Sequence, residues 1–187
     1  LAFVSVLYYY LIASRSRAFI KRAFSRYLEP RLVEEIARDP SRLELRGERV
    51  EGVAFFYDTK DFTTFAEEHK SDPQQIFSVL SKSLALVIET LQDHQGTQIR
   101  TMGDGNFAFW GAPFPVQDGP DLAVETALLI QTKIREVCAQ GILPETMPRM
   151  GIHYGEAVAG NVGSKNRFDY TVVGDAVNVA SRLEQLN

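Results

Sequence analysis

Two carboxylates and an Asn/Arg pair are the residues of this chain best placed to do chemistry. Asp58 closes the apolar run Val53-Ala54-Phe55-Phe56-Tyr57. Asp104 lies in Gly103-Asp104-Gly105, between the runs Arg100–Met102 and Asn106–Phe109, a hairpin pattern with Asp-Gly at its tip. A carboxylate at the end of a buried strand is held rigidly at the edge of a core. Two of them converging make a hard-oxygen site suited to Mg²⁺ or Mn²⁺ and to metal-assisted phosphoryl chemistry. Asn178 and Arg182 stand four residues apart in Gly174-Asp175-Ala176-Val177-Asn178-Val179-Ala180-Ser181-Arg182, so they share one face of a predicted helix. An arginine stays charged and donates from a planar fork, which suits charge developing on a phosphate. Taken singly, each aspartate reads better as a strand-end carboxylate capping a turn, and the alternative for Arg182 is a surface residue paired with Glu184 or a neighbour.

The elements that must position these residues follow from periodicity. Gly52 to Tyr57 reads as a strand buried on both faces. Phe62 to His69 begins a short helix, and Pro73 to His94 a long one, with Ile76, Phe77, Leu80, Leu84, Val87, Ile88 and Leu91 inward and Pro73 in its first turn. Gly96–Met102 and Asn106–Trp110 form the hairpin. Asp121–Cys138 is a second long helix. Met147–Tyr154 and Glu156–Asn161 read as two strands broken at Gly155, followed by a strand at Asp169–Val173 and a helix from Asp175 to Leu186. The order β-α-β-β-α-β, then further β and α, predicts an α+β domain of ferredoxin-like arrangement, an antiparallel sheet with helices packed on it.

Bulk properties narrow the classes. A chain of 187 residues with 45% apolar content suits one ordinary domain plus an appendage. A net charge of -4 argues against a general nucleic-acid binder. The single cysteine, Cys138, excludes an internal disulfide and a cysteine-based zinc site, and its helical apolar setting reads as a core thiol. His69, His94 and His153 lack metal-ligand spacing. Residues 1–13 (LAFVSVLYYYLIA) are almost wholly apolar and are followed by Arg15, Arg17, Lys21 and Arg22. That asymmetry predicts the remnant of a transmembrane helix with the basic side cytoplasmic, since a signal peptide carries its charges first. Residues 14–44 then read as a juxtamembrane helix and coupling element, with Pro30 ending or bending the helix, and the globular domain as 45–187. The expected location is the cell membrane with a cytoplasmic domain.

Asp58 with Phe62-Thr63, the Gly103-Asp104-Gly105 hairpin, and Gly174-Asp175-Ala176-Val177-Asn178-x-Ala180-x-Arg182 together resemble the catalytic domain of class III nucleotidyl cyclases, the adenylate and guanylate cyclases. One such motif is weak; three in this order on the expected elements are specific. The resemblance implies that Asp58, Asp104 and the backbone carbonyl of Thr59 hold two Mg²⁺ or Mn²⁺ per site. It implies that amides from Thr59 to Thr63, including Phe62 and Thr63, meet the phosphates. Asn178 would position the ribose and Arg182 the α-phosphate charge. It further implies a homodimer with composite sites, converting ATP to 3′,5′-cyclic AMP and pyrophosphate in intracellular signalling.

The chain departs from the family pattern in three places. Where adenylate cyclases carry a base-reading Lys, this chain has Arg100; the partner position is Thr171, as in a bacterial adenylate subgroup. Asp61 stands where the family often has Gly, whose freedom at positive φ is thereby lost. The family pattern continues past Asn187 with more sheet and a triphosphate-contacting Lys, so by resemblance the domain extends further. The alternatives are a guanylate cyclase, and a catalytically silent cyclase-like dimerisation or nucleotide-binding module. A silent module would need none of Asp58, Asp104, Asn178 and Arg182. A diguanylate cyclase would need a Gly-Gly-Asp/Glu-Glu-Phe hairpin, and the hairpin here reads Gly103-Asp104-Gly105-Asn106-Phe107.

Overall fold

The computed structural model describes Arg38, residues 46–164 and residues 167–186. The chain divides into two compact units, Leu1–Glu44 and Leu45–Asn187. The predicted transmembrane remnant (1–13) and almost all of the predicted coupling element (14–44) lie outside the described residues. The expected cell-membrane location is corrected: among the described residues no helix is long and apolar enough to cross a membrane.

The second unit is built on a five-stranded antiparallel sheet in the order β2-β3-β1-β4-β5. Its strands are β1 (Gly47–Thr59), β2 (Thr97–Met102), β3 (Gly105–Trp110), β4 (Pro148–Ser164) and β5 (Arg167–Val173). Four helices join them: α1 (Phe62–Glu68), α2 (Pro73–Asp93), α3 (Gly119–Ala139) and α4 (Asp175–Gln185). The predicted α+β, ferredoxin-like order is the one observed, with β5 added at the edge beside β4.

Strand alternation assigns the two faces of the sheet. Val53, Phe55 and Tyr57 of β1 join Ala108 and Trp110 of β3 against Val87, Leu91, Ile130 and Ile134 of α2 and α3. Phe55 meets Trp110 edge to face at 5.8 Å. Trp110 Nε1 donates to the His94 carbonyl at 2.7 Å, which satisfies the indole at the end of α2. The alternate residues Ala54 and Phe56 join Phe107, Phe109, Ala157, Ala159 and Ala180 on the opposite face, so α4 lies across the sheet from α2 and α3.

The inward face of α2 is rotated from the one apolar spacing predicts. Ser83, Val87, Thr90 and Leu91 are buried, whereas Phe77 is 66% exposed. Two polar residues can face inward because both are satisfied. Ser83 Oγ bonds the Tyr57 hydroxyl at 3.1 Å, and Thr90 Oγ1 donates to the Leu86 carbonyl at 2.7 Å. The entry to α2 follows its sequence signals: Asp72 accepts from the Gln75 amide at 3.1 Å and Pro73 fills the first turn.

The predicted break at Gly155 is absent, and β4 runs unbroken through it, paired with β1 from Gly47↔Gly160 to Thr59↔Pro148. Glycine serves clearance here instead of a turn. A Cβ on Gly151 would collide with the Ala180 carbonyl oxygen and the Glu184 amide, and one on Gly155 would stand 3.2 Å from the Ala176 Cβ. The glycines let α4 lie directly on the strand.

Candidate active site

Asp58 occupies the penultimate position of β1 and is registered opposite Arg149 of β4. It points to the α4 side of the sheet, because Tyr57 beside it points into the α2–α3 core. Asp104 reaches the same end from the hairpin. The β2–β3 pairing closes at Met102↔Gly105, which leaves Gly103-Asp104 as the two-residue loop, one position earlier than the expected Asp-Gly tip. Gly103 takes φ 63°, the positive value that the first loop residue of a tight hairpin requires. The hairpin tip rests against the end of β1: a Cβ on Gly105 would lie 3.4 Å from Asp58 Oδ1.

The electrostatics reflect this crowding. The Asp104 carboxyl is raised above the ordinary carboxylate range by burial first and by the charge of Asp58 second, and amide donation from its own and the Thr59 backbone acts the other way. Asp58 Oδ2 is bonded by the Arg149 guanidinium through Nη2. Arg149 Nε also lies 3.4 Å from Glu184 Oε1 of α4, within ion-pair range but without a hydrogen bond. Burial raises the Glu184 carboxyl, with the Asp58 charge adding to the effect and Arg149 opposing it. Arg149 was not singled out from the sequence, and Glu184 was named only as a surface partner for Arg182, whereas it is buried beside Arg149. The strand register between Asp58 and a long basic residue was the only signal, and it needs the fold to be seen.

Two carboxylates that repel each other at the rim of a core form a donor set that a hard divalent cation suits. Among the described residues no group of three or more His, Cys, Asp or Glu side chains is arranged to hold an ion. Backbone or substrate oxygens would therefore have to complete any coordination. Thr59 is buried, its amide faces Asp104 and its hydroxyl lies 3.2 Å from that of Tyr57.

The remaining predicted residues fall in two groups. Asn178 and Arg182 share an exposed face of α4, because Ala176, Ala180 and Glu184 turn to the sheet. Among the described residues no hydrogen bond or ion pair joins either of them to Asp58 or Asp104. Arg100 follows a bulge in β2, where the register shifts between Gln98 and Arg100. Its Nη2 pairs with Asp169 Oδ2 of β5 at 3.3 Å, although β2 and β5 are opposite edges of the sheet. Ile99 and Tyr170 pack into the same cluster on the α4 side, so the β4–β5 ribbon bends back over that face. Thr171 lies two residues from Asp169 on β5, paired with Gly160 of β4.

Phe62 and Thr63 open α1, in which no residue is buried. Phe62 lines a half-open cavity of about 650 Å³ between α1, α2 and residues 141–146. Asp58, Asp104, Asn178 and Arg182 do not line it. Asp61, at the entry to α1, adopts φ 62° and is exposed. The positive φ implied by the family's glycine is thus required here and is met by an aspartate, one of the few side chains that tolerates it.

A ferredoxin-like sheet extended by β5, with paired carboxylates on adjoining strand ends and an Asn/Arg pair on the following helix, defines a nucleotidyl cyclase type of domain. Residues 46–187 match the family of adenylate and guanylate cyclase catalytic domains, and the chain belongs to that family. It is 41% identical over 143 residues to adenylate cyclase 1 of Rhizobium meliloti (strain 1021), covering 74% of this chain and 21% of that protein. The chain therefore spans about a fifth of that relative's length. Among solved structures, the adenylyl cyclase CyaB of P. aeruginosa superposes with a TM-score of 0.69 at 30% identity, covering 76% of this chain and 74% of that one. The guanylyl cyclase Cya2 does so with a TM-score of 0.69 at 34% identity, covering 75% and 72%.

Proposed function

We propose that residues 45–187 form the catalytic domain of an adenylate cyclase that converts ATP to 3′,5′-cyclic AMP and pyrophosphate at the interface of a homodimer. The observation that carries this reading is the meeting of Asp58 and Asp104 at one end of the sheet while Asn178 and Arg182 face outward on α4. Asn178 and Arg182 are exposed and, among the described residues, unbonded to either aspartate, which supports a second copy bringing the two halves of the machinery together. Exposed Val158, Val162 and Val173 on the β4–β5 ribbon support such an association.

In this reading Asp58, Asp104 and the Thr59 carbonyl hold Mg²⁺ or Mn²⁺, which when bound lowers the pKa of the ribose 3′-hydroxyl and offsets triphosphate charge. The amides of residues 59–63 orient phosphate oxygens. Asn178 fixes the ribose so that the 3′-oxygen stands in line with the α-phosphorus. Arg182 stabilises the charge that grows on the α-phosphate as pyrophosphate departs. Arg100 and Thr171 read the base. Residues 14–44 act as a coupling element that sets how the two copies meet.

Conversion of GTP is the second reading, favoured by Arg100, since an arginine fork suits the acceptor edge of guanine. The purified protein should be assayed with ATP and with GTP, in Mn²⁺ and in Mg²⁺, beside Asp104→Ala. Cyclic AMP from ATP, lost in Asp104→Ala, is the expected result. Turnover of GTP alone would move the assignment to guanylate cyclase. No product from either nucleotide in a folded dimer would leave a silent module.

A further inference from the structure

The half-open cavity between α1, α2 and residues 141–146 lies apart from the two aspartates, and its floor is polar. Thr59 and Ser83 line it and are nearly closed off, at 7% and 4% exposure. Both hydroxyls bond the buried hydroxyl of Tyr57, at 3.2 and 3.1 Å, and these three groups make no other side-chain hydrogen bond among the described residues. Three hydroxyls carry three protons, and the two bonds consume two. If Tyr57 donates to Thr59, the Thr59 proton is left over; if it donates to Ser83, the Ser83 proton is. The remaining arrangement, with Tyr57 accepting from both, strands its own proton in the core, which is costly. Each favourable arrangement therefore leaves a spare donor on a residue that lines the cavity.

The walls are apolar, supplied by Phe62, Phe65, Val79, Leu80, Ile142 and Leu143. Phe62 and Phe65 stand 6.0 Å apart, and the lining residue His69 stacks on Phe65 at 4.2 Å, which extends an aromatic wall. His69 Nδ1 donates to the Phe65 carbonyl at 2.9 Å, because a carbonyl only accepts, so the neutral ring keeps Nε2 as an acceptor. At the mouth Lys60 is set against the exposed carboxylates of Asp61, Glu68 and Glu145, so the lining is net negative.

We propose that this cavity is a regulatory site for a neutral, flat aromatic molecule with a carbonyl oxygen at one end and a hydroxyl at the other. The carbonyl takes the spare proton of Thr59 or Ser83, the ring lies along Phe62 and Phe65, and the hydroxyl meets His69. The negative mouth turns away nucleotides and other anions. A volume of about 650 Å³ suits a small-molecule site. Binding stands whatever reaction the domain carries out; its effect on turnover rests on the reading that the amides of residues 59–63 meet phosphates. A ligand packed on Phe62 and bonded at the floor holds that turn in place, so less ordering is left for the nucleotide to supply.

The test is a titration of the isotope-labelled protein with 4-hydroxyacetophenone, followed by amide NMR shifts. Beside it stand 4-ethylphenol, which lacks the carbonyl, and 4-hydroxybenzoate, which replaces the ketone with a charge. A probe of about ten non-hydrogen atoms binds in the millimolar range at ordinary ligand efficiency. Shifts should gather in residues 59–69, 79–83 and 141–146. The ketone should bind about fivefold more tightly than 4-ethylphenol and about tenfold more tightly than 4-hydroxybenzoate. Phe65→Leu should weaken it about fivefold by removing the aromatic wall; should that chain fail to fold, the three probes decide on the wild type. No shift in these segments up to about 10 mM ketone overturns the site. Equal binding of the ketone and 4-ethylphenol overturns the donor floor, and equal binding of 4-hydroxybenzoate overturns the neutral ligand. Shifts there that follow protein concentration without any probe assign the cavity to a second copy instead. With ATP, the ketone should lower KM about twofold to threefold at unchanged kcat. A bound ketone that leaves KM unchanged overturns the regulation, whereas a protein that binds the ketone and turns over no nucleotide sinks the cyclase reading alone.

Discussion

Asp61 holds φ at 62° on the way into α1, where a left-handed L residue costs roughly 1–2 kcal/mol. Its side chain makes no capping hydrogen bond and is exposed, so little would be lost with it. Asp61→Gly should raise the stability of the domain by about 0.5–1 kcal/mol, read as a higher urea midpoint at unchanged slope. Removal of a carboxylate beside the proposed phosphate site should also lower KM for the nucleotide with kcat little changed. Glu184 presents the opposite case, a buried acid raised by desolvation. A group whose folded pKa lies above its unfolded value of about 4.3 contributes stability that is full below that value and is lost as pH rises through the folded pKa. Glu184→Gln should therefore flatten the decline in stability as pH rises above the unfolded carboxylate value, measured by urea unfolding of the cation-free protein.

At the scale of elements, the site depends on how closely α4 approaches β4. Asn178 and Arg182 ride on the outer face of α4, and the height of that helix above the sheet is set by the absence of a side chain at residue 151. Gly151→Ala should cost about 1–3 kcal/mol and displace the helix, since the obstructing atoms are backbone. Cyclase activity should fall by more than the loss of folded protein explains, because a displacement near 1 Å in a reacting group can cost ~100-fold in rate. Thermal melts and kcat on the same preparation separate the two effects. The same glycines show where reading the sequence stopped short. Apolar patterning and the Asp-Gly signal located the strands and helices of the second unit, and the aspartates were legible as a pair, but β1 begins at Gly47, before the apolar run from Gly52, because its first residues are exposed and carry no apolar signal. Gly155 was read as a break because a glycine for clearance and a glycine for a turn look alike until the packed helix is in place. The inward polar face of α2 escaped for a related reason: Ser83 and Thr90 are buried only because partners distant or local satisfy them. Arg149 and Glu184 carry no motif at all, and only register and helix packing bring them to Asp58.

For the whole molecule, the division of labour between surfaces is the consequential feature. Asp58 and Asp104 crowd one end of the sheet, whereas Asn178 and Arg182 face away on α4 with no bond to them among the described residues. On the proposed reading, a single copy would bind a cation without completing the reaction, and two copies arranged head to tail would form two equivalent sites. Arg182→Ala should lower kcat by roughly 10²–10³-fold, as for loss of a group that stabilises transition-state charge. Asp58→Ala should lose activity through the other half of the site. Mixing the two inactive variants restores one intact site in each heterodimer, so activity should recover to about a quarter of the wild-type rate per chain if pairing is random and each site turns over independently. The recovery should rise and fall with the heterodimer fraction, followed by a tag carried on one variant only. Demonstrated heterodimers that remain inactive would mean that each site draws all of its residues from one chain, and the outward face of α4 would then need another explanation.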